Sequence, residues 1–208
     1  MDFKIMRIPV GSYQANCYIV FNKDKEAVVI DPGAHANLII ENINKNNLKV
    51  SKILLTHAHP DHFGALKEVR DYYKVPCYIS ENDEKMLEDR SGNLGSMLGL
   101  KSEPLRADIL FKDGDLIEFG NKKIKVIMTP GHTPGGACFL LDNVLFTGDT
   151  LFYSSIGRTD LPGGDYDTII SSLMKLMKLP GDIIVLPGHG PETKIDFERE
   201  NNPFINRL

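Results

Sequence analysis

Ile53-Leu54-Leu55-Thr56-His57-Ala58-His59-Pro60-Asp61-His62 runs from a short apolar strand into a turn that carries three histidines and an aspartate. The pattern is H-x-H-x-D-H. Residues two apart in extended backbone project to the same side, so His57 and His59 can face one point. Asp61 and His62 follow as the chain enters a helix and can face a second point nearby. Imidazole and carboxylate without a thiolate suit zinc, iron or manganese. The chain has only six histidines, so three at these offsets beside an aspartate are an uncommon accident. The competing reading, a polar loop with incidental histidines, is the weaker one.

Composition sets outer bounds. At 208 residues, with 42% hydrophobic and 25% charged residues, the chain can bury a sizeable core and reads as one domain over residues 1–208. The formal net charge is −4, and no run of lysine or arginine offers an electrostatic footprint for nucleic acid. Met1-Asp2-Phe3-Lys4-Ile5-Met6-Arg7 has no apolar signal core, and no stretch approaches the length of a membrane span. Cys17, Cys77 and Cys138 are odd in number, widely spaced and form no C-x-x-C. They read as buried thiols in a reducing cytoplasm rather than as disulfide or catalytic residues.

Residues 3–10, 16–21 and 27–30 read as strands, the last two separated by the polar turn Asn22-Lys23-Asp24-Lys25. Asp31-Pro32-Gly33 ends the third. Asp31 is either a hydrogen-bond partner for a metal-bound histidine or a turn-capping aspartate. His35 belongs to no spaced group and reads as a solvent-exposed loop residue. Residues 36–47 carry Leu38, Ile39, Ile40 and Ile43 in a helical context. Residues 50–55 form the strand that feeds the histidine motif, and 61–73 read as one helix with Phe63, Leu66, Val69 and Tyr73 inward. A short strand at 76–80, a charged helix at 81–90 and a long glycine-bearing loop at 91–106 follow, the loop expected to border the site. A second β-rich section begins near Ile109, with strands at 116–119, 124–128, 137–141 and 144–147. A helix at 166–178 and a strand at 182–186 close it. Two β-rich halves with helices outside make a layered sandwich rather than a doubly wound parallel sheet.

Three glycine-rich loops then carry further candidate ligands. Thr129-Pro130-Gly131-His132-Thr133-Pro134-Gly135-Gly136 presents His132, Phe146-Thr147-Gly148-Asp149-Thr150 presents Asp149, and Leu186-Pro187-Gly188-His189-Gly190 presents His189. Each follows an apolar strand, and the glycines permit close backbone approach. Any one of them alone would pass for a turn residue. Together with the first motif they read as one constellation.

On these residues the chain resembles the metallo-β-lactamase superfamily, over nearly its whole length. The resemblance implies an α+β fold, a four-layer αβ/βα sandwich with a two-metal site at the edge between its sheets. It implies that His57, His59 and His132 hold one ion, that Asp61, His62 and His189 hold the other, and that Asp149 bridges both. Two divalent ions are expected, zinc by preference, with iron and manganese open. Within the superfamily the chain is similar to short glyoxalase II-like hydrolases. Gly148-Asp149-Thr150-Leu151-Phe152, Ile156-Gly157-Arg158-Thr159-Asp160-Leu161-Pro162-Gly163-Gly164 and Gly188-His189-Gly190-Pro191-Glu192-Thr193 carry that likeness, with Glu198-Arg199 and Asn202-Pro203-Phe204 in the tail. It departs from full-length glyoxalase II in lacking, after His189, the helical C-terminal domain that helps grip glutathione there.

The expected reaction is hydrolysis of a small thioester, such as S-lactoylglutathione or a related acyl-thiol, by a hydroxide shared between the two ions. Asp61 is assigned a double role, as ligand and as orienter of that nucleophile. Thiolate is a good leaving group, so no strong general acid is required. A mononuclear-iron persulfide dioxygenase and another superfamily hydrolase, such as a lactonase, are the alternatives. A β-lactamase is not expected, because no export signal is read. No nucleic-acid or membrane partner is expected, and the protein is expected to act as monomer or homodimer. By the same resemblance, Arg158 occupies a place similar to that of a basic residue of glyoxalase II that contacts the thiol-bearing half of the substrate, although Asp160 does not match that family's pattern. Asp160, two residues on, offers it an ion-pair partner, so Arg158 either attracts an anionic substrate or braces its own loop.

Overall fold

The computed structural model describes residues 2–89 and 105–206. The loop expected at 91–106 lies outside the described residues except for Leu105 and Arg106. Strands β1 (Phe3–Val10), β2 (Ala15–Asn22), β3 (Glu26–Ile30), β4 (Lys49–Leu54), β5 (Cys77–Ser80) and β6 (Ile109–Phe111) form one sheet in that order. β1 to β3 pair antiparallel, and β3 to β6 pair parallel. Parallel neighbours need a crossover. Helix α1 (Ala36–Lys45) supplies the one from β3 to β4, and α2 (Pro60–Phe63) with α3 (Leu66–Tyr73) the one from β4 to β5. The short helix α4 (Glu84–Glu88) follows β5.

The second half contains β7 (Leu116–Phe119), β8 (Lys122–Met128), β9 (Ala137–Leu141) and β10 (Val144–Gly148). A small hairpin of β11 (Leu151–Phe152) and β12 (Ser155–Ile156) comes next, then helix α5 (Tyr166–Leu176), β13 (Ile184–Pro187), β14 (Thr193–Lys194) and helix α6 (Ile195–Asn201). The second sheet runs β14-β13-β10-β9-β8-β7.

The strands are apolar on both faces because each sheet is covered twice. In β2, Cys17 and Ile19 face one cluster, with Ile39 and Ile43 of α1 and Leu66 and Val69 of α3. The alternating Tyr18 and Val20 face another, with Phe139 of β9 and Phe146 of β10, and this cluster fills the space between the sheets. Leu145 turns the opposite way from Phe146, toward Ile169 and Leu173 of α5 and Ile195 of α6. These alternations build the expected helix–sheet–sheet–helix sandwich. The three cysteines are buried and unpaired, and burial pushes their thiols far above the ordinary range.

Three local expectations are corrected, and some elements are new. The helix expected at 61–73 is broken, because the Ala65 amide donates to Pro32 O at 2.9 Å rather than to the helical carbonyl of Asp61. The segment from Ile109 opens the edge of the first sheet, not the second, pairing parallel to β5 as Tyr78↔Ile109. The charged helix expected at 81–90 shrinks to Glu84–Glu88, with Asp83 buried before it. The hairpin β11–β12, β14 and α6 were not expected at all. Among the described residues no helix is long and apolar enough to cross a membrane.

Candidate metal centre

All seven candidate ligands converge at one edge of the sandwich. β4 ends at Leu54 and hands the chain to Thr56 and His57; His59 then caps α2, Pro60 starts it, and Asp61 and His62 ride its single turn. His132 comes from the loop between β8 and β9, Asp149 from the end of β10, and His189 from the end of β13. Ligand atoms of His57, His59 and His132 lie within 4.8 Å of one another, as do those of Asp61, His62 and His189. Asp149 stands between the groups. Its Oδ2 is 3.5 Å from His132 Nε2 and 3.6 Å from His189 Nε2, and its Oδ1 is 3.3 Å from His62 Nε2. His57, His62 and Asp149 also form a group of the same tightness.

Close packing needs two glycines here. A Cβ on Gly188 would lie 2.2 Å from Asp149 Oδ1 and 2.7 Å from His62 Cε1. A Cβ on Gly33 would lie 1.6 Å from Asp61 O. Neither loop could seat against the ligands with a side chain at those positions.

Hydrogen bonds aim the rings. His62 Nδ1 faces Asp31 Oδ2 at 3.0 Å, His132 Nδ1 faces Arg158 O at 2.8 Å, and His189 Nδ1 faces Tyr13 O at 3.0 Å. Those oxygens only accept, so in a neutral ring Nδ1 carries the proton and Nε2 presents its lone pair to the centre. Asp31 therefore acts as the partner of His62. It also accepts from the Thr56 amide at 2.8 Å and from Thr56 Oγ1 at 2.6 Å, and it sits at φ 52, a left-handed backbone that Asp tolerates. His35 is exposed, as expected.

Without an ion the centre is poorly satisfied. His57 Nε2, His59 Nε2 and Asp149 Oδ1 are buried and make no hydrogen bond among the described residues. His59 Nδ1 and His132 Nε2 meet at 2.9 Å, and His62 Nε2 and His189 Nε2 at 3.2 Å. The converging imidazole nitrogens and the orphaned His57 Nε2 and Asp149 Oδ1 are what a pair of divalent cations would satisfy, His59 offering one of its two nitrogens, so the residues fit such ions. The charge states differ between the groups. Burial, then the neighbouring imidazoles, hold His57 well below the ordinary range and His59 down to about 3. Burial acts the same way on His62 and His189, but the carboxylates of Asp149 and Asp61 outweigh it and raise both. Asp149 is held well below the usual carboxylate range, its burial outweighed by His62, and Asp61 is lowered in the same sense.

Sequence reasoning missed Asp83. It is fully buried. It accepts from Ala58 N at 3.0 Å, Thr133 Oγ1 at 2.8 Å and Gly135 N at 2.5 Å. It thus ties the loop of His57 and His59 to the loop of His132. Its only outward sign was its place beside Asn82 in a run of charged residues.

A cleft of about 570 Å³ opens over the centre, lined by Tyr13, Phe152, Ile156, Arg158 and Leu161 besides the ligands. Arg158 is at the rim, and Asp160 grips its Nε and one terminal nitrogen at 2.8 Å each. The structure thus brings Arg158 to the cleft and at the same time pairs its charge.

A family model for the metallo-β-lactamase superfamily matches residues 10–189. The hydroxyacylglutathione hydrolase GloC of Haemophilus influenzae is 38% identical over 204 residues, 96% of each chain. The structure of the BLEG-1 B3 metallo-β-lactamase is 41% identical with a TM-score of 0.93, over 97% of this chain and 99% of that one. The structure of TTHA1623 in a di-iron-bound form is 34% identical with a TM-score of 0.87, over 96% and 99%. With this fold, these loops and these matches, the chain belongs to the metallo-β-lactamase superfamily.

Proposed function

We propose that the chain hydrolyses a small thioester, S-lactoylglutathione or a related acyl-thiol, at a two-metal centre. His57, His59 and His132 would hold one ion, Asp61, His62 and His189 the other, with Asp149 between them. The observation that carries this reading is the cleft over the centre, where both groups meet at Asp149; the Thr56 hydroxyl, which touches His57 Nδ1 at 3.0 Å, is buried outside the cleft and committed to Asp31. Among the described lining residues, the hydroxyls of Tyr13 and Ser155 make no hydrogen bond to an imidazole that could activate them. Divalent ions would supply an acidified water as nucleophile and Lewis acidity toward the thioester carbonyl.

The chain's own residues do the rest. His57 and His59, kept neutral by burial, are ready to donate lone pairs. Asp31, Arg158 O and Tyr13 O hold the Nδ1 protons of the other rings away from the centre. Asp61 lies 3.2 Å from His189 Nε2 through Oδ2, which suits its assigned roles of ligand and orienter of water. Phe152, Ile156 and Leu161 form an apolar wall for the acyl-thiol. The likeness to GloC supports the thioester, and the likeness to TTHA1623 supports testing iron beside zinc and manganese. The buried unpaired cysteines support a reducing, cytoplasmic setting.

The likeness to the BLEG-1 enzyme favours a second reading, β-lactam hydrolysis, and one experiment separates the two. Protein loaded with zinc, manganese or ferrous iron is assayed on S-lactoylglutathione, a chromogenic cephalosporin, a lactone, and glutathione persulfide with oxygen uptake followed. Thioester turnover should dominate and should vanish on chelation with metal loss confirmed. An inert thioester beside a consumed cephalosporin or persulfide would sink the proposal.

A further inference from the structure

Glu198 and Asn202 stand outside the metal centre, yet both are fully buried. Among the described residues the Glu198 carboxylate accepts four hydrogen bonds from three donors. The Ser154 amide lies 3.1 Å from Oε1 and 3.0 Å from Oε2; Thr193 Oγ1 donates to Oε1 at 2.6 Å and Asn202 Nδ2 to Oε2 at 2.7 Å. The same Asn202 nitrogen lies 3.1 Å from Ser155 O. Ser154 and Ser155 belong to the hairpin β11–β12, which has two residues per strand and a left-handed Ser154 at φ 54. So small a hairpin has no stability of its own. Its base is fixed independently, by buried Leu151 and by Gly157 N donating to Thr150 O at 3.3 Å. Its tip is fixed by α6. Tyr153 adds a stacked contact to Phe197, with centroids 5.0 Å apart and planes at 16°.

The hairpin matters because of what it presents. Phe152, Ser155 and Ile156 all line the cleft, and the rings of Phe152 and His189 meet nearly perpendicular, at 82°, with centroids 6.1 Å apart. We propose that Glu198 and Asn202 are positioning residues that clamp the hairpin tip from α6 and so set the substrate wall, while leaving the ligand loops to their own braces. The clamp rests on the thioesterase reading only for the choice of substrate in its assay.

Glu198→Met tests this at similar length. A thioether is at best a weak acceptor, so the Ser154 N–H and the Asn202 amide lose theirs and the tip loosens, whereas a glutamine could keep its oxygen at the Oε2 place and donate its NH₂ to the Thr193 hydroxyl. Expected are faster amide exchange at residues 152–156, unchanged exchange around His57 and His132, and unchanged metal content by elemental analysis. KM for S-lactoylglutathione should rise about fivefold to tenfold, the worth of one buried hydrogen bond, with kcat within about twofold. Phe197→Ala, which leaves the buried carboxylate in place, should act in the same direction more weakly. Unchanged exchange at 152–156, or equal loosening of the metal loops with loss of metal, would overturn the proposal. So would a fall in kcat at constant KM. If the unaltered enzyme turns over no thioester, the functional reading fails, and exchange with metal content still decides the clamp.

Discussion

Replacing Asp83 by Asn keeps the size of the side chain and exchanges one acceptor oxygen for a donor. Oδ1 accepts from Gly135 N, and Oδ2 from Ala58 N and Thr133 Oγ1. An amide nitrogen at the first place orphans the Gly135 N–H. At the second it orphans the Ala58 N–H, because only the Thr133 hydroxyl can turn round and accept. One buried donor is lost either way, and the remaining bonds lose their charge assistance, at a combined cost of about 2–4 kcal/mol. Burial pushes the Asp83 carboxyl up against the pull of its donors, so the amide relieves some desolvation and the lower half of that range is expected. At this chain length each kcal/mol corresponds to roughly 2–4 °C, so the metal-free protein should melt about 5–10 °C lower. The same change lets the His132 loop drift from His57 and His59, and affinity at that group should fall about 10- to 100-fold. Circular-dichroism melts of metal-free protein and a chelator-competition titration measure the two effects. A melting temperature within about 1 °C of the unaltered protein, together with unchanged affinity, would refute the reasoning.

Asp149→Ala should lose more metal than any single histidine change, since Asp149 approaches both groups, whereas His189→Ala should spare the ion at His57, His59 and His132; full occupancy in the Asp149 variant by elemental analysis would contradict the shared centre. Metal uptake should release more protons at the Asp61–His62–His189 group, whose imidazoles are raised and keep their protons to higher pH, than at His57 and His59, which burial already keeps neutral. Affinity at the former should therefore weaken first as pH falls, and calorimetry in buffers of different ionisation enthalpy would count equal protons at both if this is wrong. Asp160→Ala should free the Arg158 charge at the cleft rim and lower KM for an anionic thioester about twofold at low salt. A neutral thioester should not respond, and an effect that persists in high salt would point to altered loop packing instead.

The sandwich was legible because its signals are local. Apolar residues on both faces of β2 and β3 announce a doubly covered sheet, and the histidine motif packs four candidate ligands into six positions. What escaped was decided by partners distant in sequence. Asp83 looks like a surface acid among Glu81, Asn82 and Glu84, and only the approach of Ala58, Thr133 and Gly135 makes it a buried brace. In the sequence Glu198 stands out only as part of the tail that carries the glyoxalase II-like likeness; among Asp196, Arg199 and Glu200 nothing local shows its burial, because its partner Ser154 lies in another element. The break after Phe63 depends on Pro32 O, and β6 is three residues whose sheet is chosen by β5. Propensity carries no information about such contacts.

The placement of these braces follows from how the ligands are distributed. His57, His59, Asp61 and His62 hang from the first sheet, while His132, Asp149 and His189 hang from the second. Every ligand group therefore spans the seam of the sandwich, and its spacing is no better than the docking of one sheet on the other. Asp83 crosses that seam, from the Ala58 loop to the Thr133–Gly135 loop. Asn16 and Tyr18 cross it too, donating to Pro187 O at 2.9 and 2.7 Å beneath the His189 loop. Asp31, by contrast, works within the first half, setting His62 and Thr56 relative to each other. The seam contacts thus do for the distance between half-sites what Asp31 does for ring orientation within one. The Glu198–Asn202 clamp joins only elements of the second half, which is why it can adjust the substrate wall without moving one ligand group against the other.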